Sequence, residues 1–513
     1  MSTTYISDTI KTYSVNSFKN IFALPNPFNV GLIFIGKADD YSNVQVIDTI
    51  TDTIKDEKTI WDNMIAAKII DPGDVELVIP RHDWSANTNY KQYDDTVKIS
   101  ELAQEDIANS IKPFYVINSE GDVYKCLSNN YSANSTVEPI GNYTSSNGFI
   151  YTTDDYVWKY MYNIKTTNRF LTQSWMPVPY SALSAATATD YDMSSTNLVE
   201  GTINSILVTN SGSGYFHKTH TYTYTNNASF LVATDISNVA TGMIVTGSGI
   251  IANTYITSVD VGLNRVFLSK PTIGSGNTFN TITRVEIVGD GTDAFAEVQL
   301  SGDSIEKIII VSPGINYLNA NVNIYGTSNT ATARAILPNK FGHGYSPAVE
   351  LYAKDMMIVK RIGEVDSSVG GKFPTDISFR QYGILMNPVM CACGNKISYS
   401  LANSTISQTT DVTVADGLDY EQNEYVYQGT SINNSTFKGL VVTQSNNVIR
   451  LSNVTGVPDI GALLKGSTVF RPVVSYKEHQ LREYSGNIVY VNNVDPIERA
   501  DGQAEELKFI IKF

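Results

Sequence analysis

The chain has 513 residues, room for three or four domains at roughly 100–200 residues each, and its 42% hydrophobic content excludes a mostly disordered protein. Its 51 acidic against 36 basic residues give a formal charge of -15, and no Lys/Arg run could track a phosphate backbone, so nucleic acid is not an expected partner. No apolar stretch reaches the ~18 residues a spanning helix needs, and the opening MSTTYISDTIKTYS lacks the basic and apolar regions of a secretory signal; the expectation is a protein made in the cytoplasm, with no membrane partner.

Cys126, Cys391 and Cys393 are the three cysteines, an odd number with one pair two apart, which argues against a disulfide framework. The 31 tyrosines, with abundant Asn, Ser, Thr and Gly, suit a β-rich fold with many turns and contacts between proteins. The predicted class is mainly β with few helices: an α+β body built from discontinuous segments, carrying inserted sandwich- or barrel-like β domains.

Along the chain, TIWDNMIAAKII predicts a helix over residues 59–70, because Trp61, Met64, Ile65 and Ile69 recur at helical spacing before Asp71-Pro72-Gly73. ISELAQEDIANSI predicts a second over 99–111, with Leu102, Ile107 and Ile111 apolar. Residues 1–185 form the N-terminal body and hold all four tryptophans; the small, polar stretch 181–197 reads as a linker. Residues 198–340 form an inserted domain with internal repeats. INSILVTNSGSGY from Ile203 resembles IEKIIIVSPGINY from Ile305, and VEIVGDGTDAFAEVQL from Val285 resembles VNIYGTSNTATARAIL from Val322. Two copies are too few for a solenoid, so a compact sandwich or barrel is expected. Between them, residues 239–260 suggest a small subdomain. The body resumes over 341–405, a small β insert with turns at Asp416-Gly417, Ser445-Asn446-Asn447 and Asp459-Ile460-Gly461 spans 406–470, and 471–513 supply the body's last strands. In ELKFIIKF, Leu507, Phe509, Ile511 and Phe513 alternate with other residues, the pattern of a half-buried strand.

Several strings occur in a set order: VIPRHDW (78–84), VYKCL (123–127), TVEP (136–139), DYVWKY (155–160), FRQ then NP (379–381, 387–388), and SGNIVYVNNVDPI near the end. In that order they resemble the gene-eight family of baseplate wedge proteins from T4-like phages, whose corresponding signatures are of the VIPRRDW and SGEMIYMENRPPI type. The resemblance covers residues 40–185, 350–400 and 475–513, about half of the chain; 200–340 and 406–470 have no counterpart. His82 stands where the family pattern has a second arginine. The resemblance implies a non-catalytic structural protein of a contractile tail, assembled in the host cytoplasm and residing in the virion baseplate. It further implies a homodimer whose partners are other wedge proteins, an adaptor that passes on the rearrangement triggering sheath contraction.

Candidate interface or structural residues are Trp61, Arg81, Asp83, Trp84, Trp158 and Arg380. Ile79-Pro80 gives VIPRHDW an extended entry, Arg81 and Asp83 offer charge-assisted hydrogen bonds, and Trp84 is a large anchor that serves either an intersubunit contact or the chain's own core. No catalytic residue, cofactor or metal is expected. His217 and His220 are three apart, but their flanks are turn- or β-like and no Asp, Glu or Cys completes a ligand set. Cys391 and Cys393 read as ordinary thiols on one strand face. Asp154-Asp155 could be imagined as glycosidase acids and read better as a turn into an aromatic strand. The competing functions are a tail-fibre- or spike-like module binding a cell-surface glycan, with Tyr215, Tyr222, Tyr224 and Tyr317 as stacking surfaces, and a tail-associated hydrolase.

Overall fold

The computed structural model describes residues 7–23, 29–41, 46–142, 148–165, 167–181, 191–192, 198–328, 330–362, 373–391, 405–416, 420–500 and 505–513. Cys393, Gly417 and most of the predicted linker over 181–197 lie outside them. The protein is mainly β, with 49% of the described residues in strands and 8% helical, as its turn-rich composition leads one to expect. It divides into two units, Met1–Thr12 with Val78–Ala353, and Tyr13–Leu77 with Lys354–Phe513.

In the second unit, five antiparallel strands run in the order Thr405–Ser407, Met64–Ile69, Gly31–Gly36, Ile377–Met386, Asn487–Arg499. Both Gly31–Gly36 and Met64–Ile69 are buried at every position. This corrects the helix predicted over 59–70. The helix is Ile54–Asn63, capped by Thr53, whose side chain accepts the Asp56 amide, and the chain turns to strand at Met64. A strand covered on both faces loses its alternation, so MIAAKI mimics helical spacing. Asn387 hooks the sheet end: its amide donates to Val30 O and its Oδ1 accepts the Val30 amide, both at 2.8 Å. The alternating C-terminal segment forms strand Glu505–Lys512, paired with Asp355–Ile362 from Lys512↔Asp355 to Glu505↔Ile362, with Phe509 buried.

A closed six-stranded barrel follows in the same unit, spanning Thr410–Lys477 around Val412, Val426, Phe437, Val441, Ile449, Leu451 and Val473. It runs past residue 470 because strand Phe470–Lys477 pairs with both Thr410–Val414 and Leu463–Lys465. Closure leaves no open sheet edge. Where the chain enters and leaves, the Gln480 amide donates to Ser407 O at 2.9 Å and the Ser407 amide donates to Gln480 Oε1 at 2.7 Å.

The first unit begins with a tyrosine-rich sheet made of Tyr115–Ile117, Asp122–Asn129, Tyr156–Ile164 and Phe149–Tyr151, with Tyr191–Asp192 on Tyr156–Ile164. Tyr90, Tyr124, Tyr156, Trp158 and Tyr160 form its core. Burial leaves each hydroxyl needing a partner; that of Tyr124 donates to Gly141 O and that of Tyr156 to Ala133 O. The helix predicted over 99–111 is confined to Ile99–Leu102. Asp106 accepts both the amide and the side-chain amide of Asn109, Ser110 has φ 56°, and Ile107 is 82% exposed, so local side-chain bonds displace the helix. An unexpected helix, Thr9–Ala23, is rich in Thr, Ser and Asn, which hides it from propensity.

The repeats fold as one pseudo-symmetric domain. The Ile203 amide donates to Pro313 O at 2.8 Å and the Ile305 amide to Ser211 O at 3.0 Å; the Tyr215 amide donates to Asp303 O at 2.8 Å and the Tyr317 amide to Gly201 O at 3.1 Å. Exchanging the copies maps each bond onto its counterpart. Val285 faces Ile324 while Ile287 faces Val322, about a central Glu286↔Asn323 pair, and Ile206↔Ala335 mirrors Ile308↔Val298. Each copy's first strand thus pairs with the other copy's last. Ile203, Ile305, Ile206, Ile308, Tyr215 and Tyr317 share the core. Gly201, at φ 69°, lies so close to this contact that a Cβ would sit 2.1 Å from the Tyr317 amide nitrogen. Inserted in the first copy is a six-stranded sheet over Lys218–Ile282, which contains the strands predicted within 239–260.

Candidate functional site

The residues singled out from sequence fall in two units and are engaged within their own chain. In the first unit, Arg81 donates to Asp83 at 2.7 Å and to Thr172 O at 3.0 Å, and the Trp84 indole donates to Ser135 Oγ at 3.1 Å. The Trp84 amide donates to Ile117 O and the Ile117 amide to His82 O, so the end of VIPRHDW is bridged to the strand Tyr115–Ile117 at Asp83, while Val78–Pro80 pairs with Trp175–Pro177. His82 packs 5.3 Å from Tyr115, and burial lowers its pKa. Trp158 is fully buried, stacked on Tyr156 at 5.4 Å. In the second unit, Trp61 is buried beneath the five-stranded sheet, and Arg380 donates to Ala38 O at 2.7 Å and pairs with Asp40.

A buried polar cluster, which sequence reading missed, joins the sheet to the segment returning from the repeat domain. Lys125 Nζ donates to Glu350 Oε2 at 2.9 Å and to Asn339, lies 3.1 Å from His343 Nδ1 and sits 4.0 Å from the centre of the Tyr93 ring. Glu350 Oε1 accepts the amides of Gly344 at 2.8 Å and Ser346 at 3.2 Å. Burial lowers the Lys125 pKa against the pull of Glu350, and burial brings Lys159 down to about 8. Burial, with the two lysines, pushes His343 well below its ordinary value. The Lys125 side chain is wholly out of contact with solvent, so the cluster clamps two distant parts of the unit together from within.

A cavity of about 430 Å³ in this unit is lined by loop 128–132, turn 151–157 and strands at 204–207 and 307–310. Asn130, Tyr131, Ser132 and Asp155 all line it and all have positive φ, between 46° and 67°. Left-handed backbone costs roughly 1–2 kcal/mol per non-glycine residue. It persists here because the loop is held at every step: Asn129 Oδ1 accepts the Ser132 amide, Asn89 donates to Ser132 O, Asn130 donates to Asp154 O, and the Tyr131 hydroxyl accepts the Ile308 amide at 2.9 Å. Lys307 pairs with Asp155 at 2.7 Å. The only local signal in the sequence is the turn-forming run Asn129-Asn130-Tyr131-Ser132.

Asp154, beside this turn, accepts the amides of Thr136 at 2.7 Å and Val137 at 3.0 Å; burial opposes its ionisation, but these bonds with those of Thr152 and Ser135 hold its pKa below the usual range. It is a turn anchor. The tyrosines expected as stacking surfaces are corrected by the structure: Tyr215, Tyr224 and Tyr317 are buried, since alternation turns them into the domain cores. His220 is buried as well, with Nδ1 3.0 Å from Asp235 O and Nε2 2.9 Å from Thr281 Oγ1. Among the described residues, no three His, Cys, Asp or Glu gather as a metal site.

The barrel carries an outward apolar stripe. Phe470 and Val474 are exposed along one strand and alternate with buried Val473; Leu463 lies opposite Pro472 and is exposed beside them. Such patches are features of protein contact surfaces.

No protein-family model matches the chain, and no curated protein matches it either.

Proposed function

We propose that this protein is a non-catalytic structural component of a contractile phage tail, a dimeric adaptor in the baseplate wedge. The observation that carries the reading is the ordered set of motifs from VIPRHDW to SGNIVYVNNVDPI, which resembles the gene-eight wedge family across both units. Support comes from how VIPRHDW is used: Arg81, Asp83 and Trp84 brace an extended segment against the body, a role that makes this string a structural signature. The outward stripe of Leu463, Phe470 and Val474 on the barrel suits contact with other wedge proteins. A closed twofold association is the commonest arrangement for a soluble oligomer, and light scattering is expected to give twice the 56.3 kDa of one chain. Gold labelling of an epitope-tagged copy on intact particles tests the placement. Label at the baseplate supports it; label on the head or along the fibres contradicts it.

A further inference from the structure

We propose that the cavity between loop 128–132 and the repeat domain binds a short neutral saccharide of one or two sugar units. The inference rests on the cavity alone and holds whether or not the protein sits in a baseplate.

Its volume, about 430 Å³, lies within the range of small-molecule sites. Three tyrosines line the wall: Tyr131, Tyr151 and the fully buried Tyr156. Tyr131 is pinned through its hydroxyl to the Ile308 amide, and Tyr151 is 54% exposed, leaving ring surface open to a partner. The C–H face of a pyranose packs on such a ring, whose face is electron-rich. The charged groups of the wall are already matched: Asp155 with Lys307 at 2.7 Å, and Asp94 with Arg334 at 2.8 Å. An ionic ligand must compete with these pairs, whereas hydroxyls add hydrogen bonds to them without separating charge.

One further observation points to a ligand. Three successive non-glycine residues with positive φ, Asn130, Tyr131 and Ser132, and a fourth at Asp155, converge on this one cavity. Strained backbone held by surrounding bonds concentrates where a binding surface must be preorganised.

The test is saturation-transfer NMR on the full chain with maltose, cellobiose, lactose and chitobiose, each at millimolar concentration. Transfer is expected to the C–H protons of at least one of them. Tyr151→Ala, an exposed position, should weaken binding about tenfold through loss of the ring contact. The pair Asp155→Asn with Lys307→Met, in which asparagine tolerates the left-handed backbone, should weaken it as well. Tyr425→Ala, at an exposed tyrosine of the barrel, should leave it unchanged. No transfer from any of the four sugars overturns the proposal, as does transfer that survives both cavity variants.

Discussion

Lys125 and Glu350, 225 residues apart in sequence, meet at 2.9 Å with both side chains removed from water. The pair fastens the segment leaving the repeat domain to the sheet that precedes that domain, so it closes the loop around the insertion. Removing one partner strands a buried charge, at a cost of about 3–5 kcal/mol, whereas an apolar pair of similar volume is often neutral. Glu350→Ala is therefore expected to lower the urea midpoint sharply, and Lys125→Met combined with Glu350→Met to recover only part of it, because the Gly344 and Ser346 amides stay unpaired. A single variant as stable as the parent would show that the clamp holds nothing.

The same cluster sets a pH dependence. His343 is held well below its ordinary pKa by burial beside Lys125 and Lys159, while the unfolded chain returns it to about 6.5. The unfolded state then binds a proton that the folded state refuses. Stability from this source is complete above about pH 6.5 and is lost as pH falls below it toward the folded pKa. Burial lowers His82, His217 and His220 in the same sense, so the slope is shared. Urea midpoints should fall between about pH 7 and pH 5.5, and His343→Gln should remove more of that fall than His217→Gln. Equal slopes in the two variants would contradict the assignment.

Closure of the barrel at Lys477, and the bonds between Ser407 and Gln480, define where it can be cut. Replacing residues 411–477 by a short Gly/Ser linker should leave a soluble, folded remainder, because loop closure costs grow slowly with length. Its melting temperature should drop, since Val442 of the barrel belongs to a core it shares with Ile35 and Ala66. Cutting 406–470 instead removes Ile406 and Ser407 from the strand Thr405–Ser407 and leaves 471–477 without strand partners; that variant should aggregate. Light scattering and thermal melting distinguish the two, and identical behaviour would refute this map of the barrel.

The pseudo-symmetric tyrosines are equivalent in position but not in bonding. The Tyr215 hydroxyl accepts the Ala331 amide at 3.0 Å, and no such bond accompanies Tyr317 among the described contacts. Tyr215→Phe should thus cost about 1–3 kcal/mol by leaving that buried amide unsatisfied, and Tyr317→Phe less. Chemical denaturation of the two variants provides the comparison. A larger loss at Tyr317 would contradict it.

Where a segment buries one face, its sequence announces it: the alternation through Leu507, Phe509 and Ile511 predicts the strand found at Glu505–Lys512. Burial on both faces erases that signal, which is why Met64–Ile69 reads as helix. Duplication is visible in Ile203 with Ile305 and in Tyr215 with Tyr317, but the exchange of strands between copies is not, because pairing depends on distant partners. The mouth of the cavity is hidden for the same reason: Tyr131, Tyr151 and Lys307 become neighbours only in the fold. Abundant tyrosine suggests contact surfaces, yet Tyr90, Tyr124 and Tyr156 serve the core, each with its hydroxyl bonded.

The most direct test of the account is a cryo-EM reconstruction of the baseplate from a particle that carries this chain. Density at the periphery of the plate is expected to accept each unit separately, the barrel over Thr410–Lys477 and the repeat domain included, in two copies per wedge. A baseplate whose density is filled by other proteins, with this chain in fibres or absent from the particle, would contradict it.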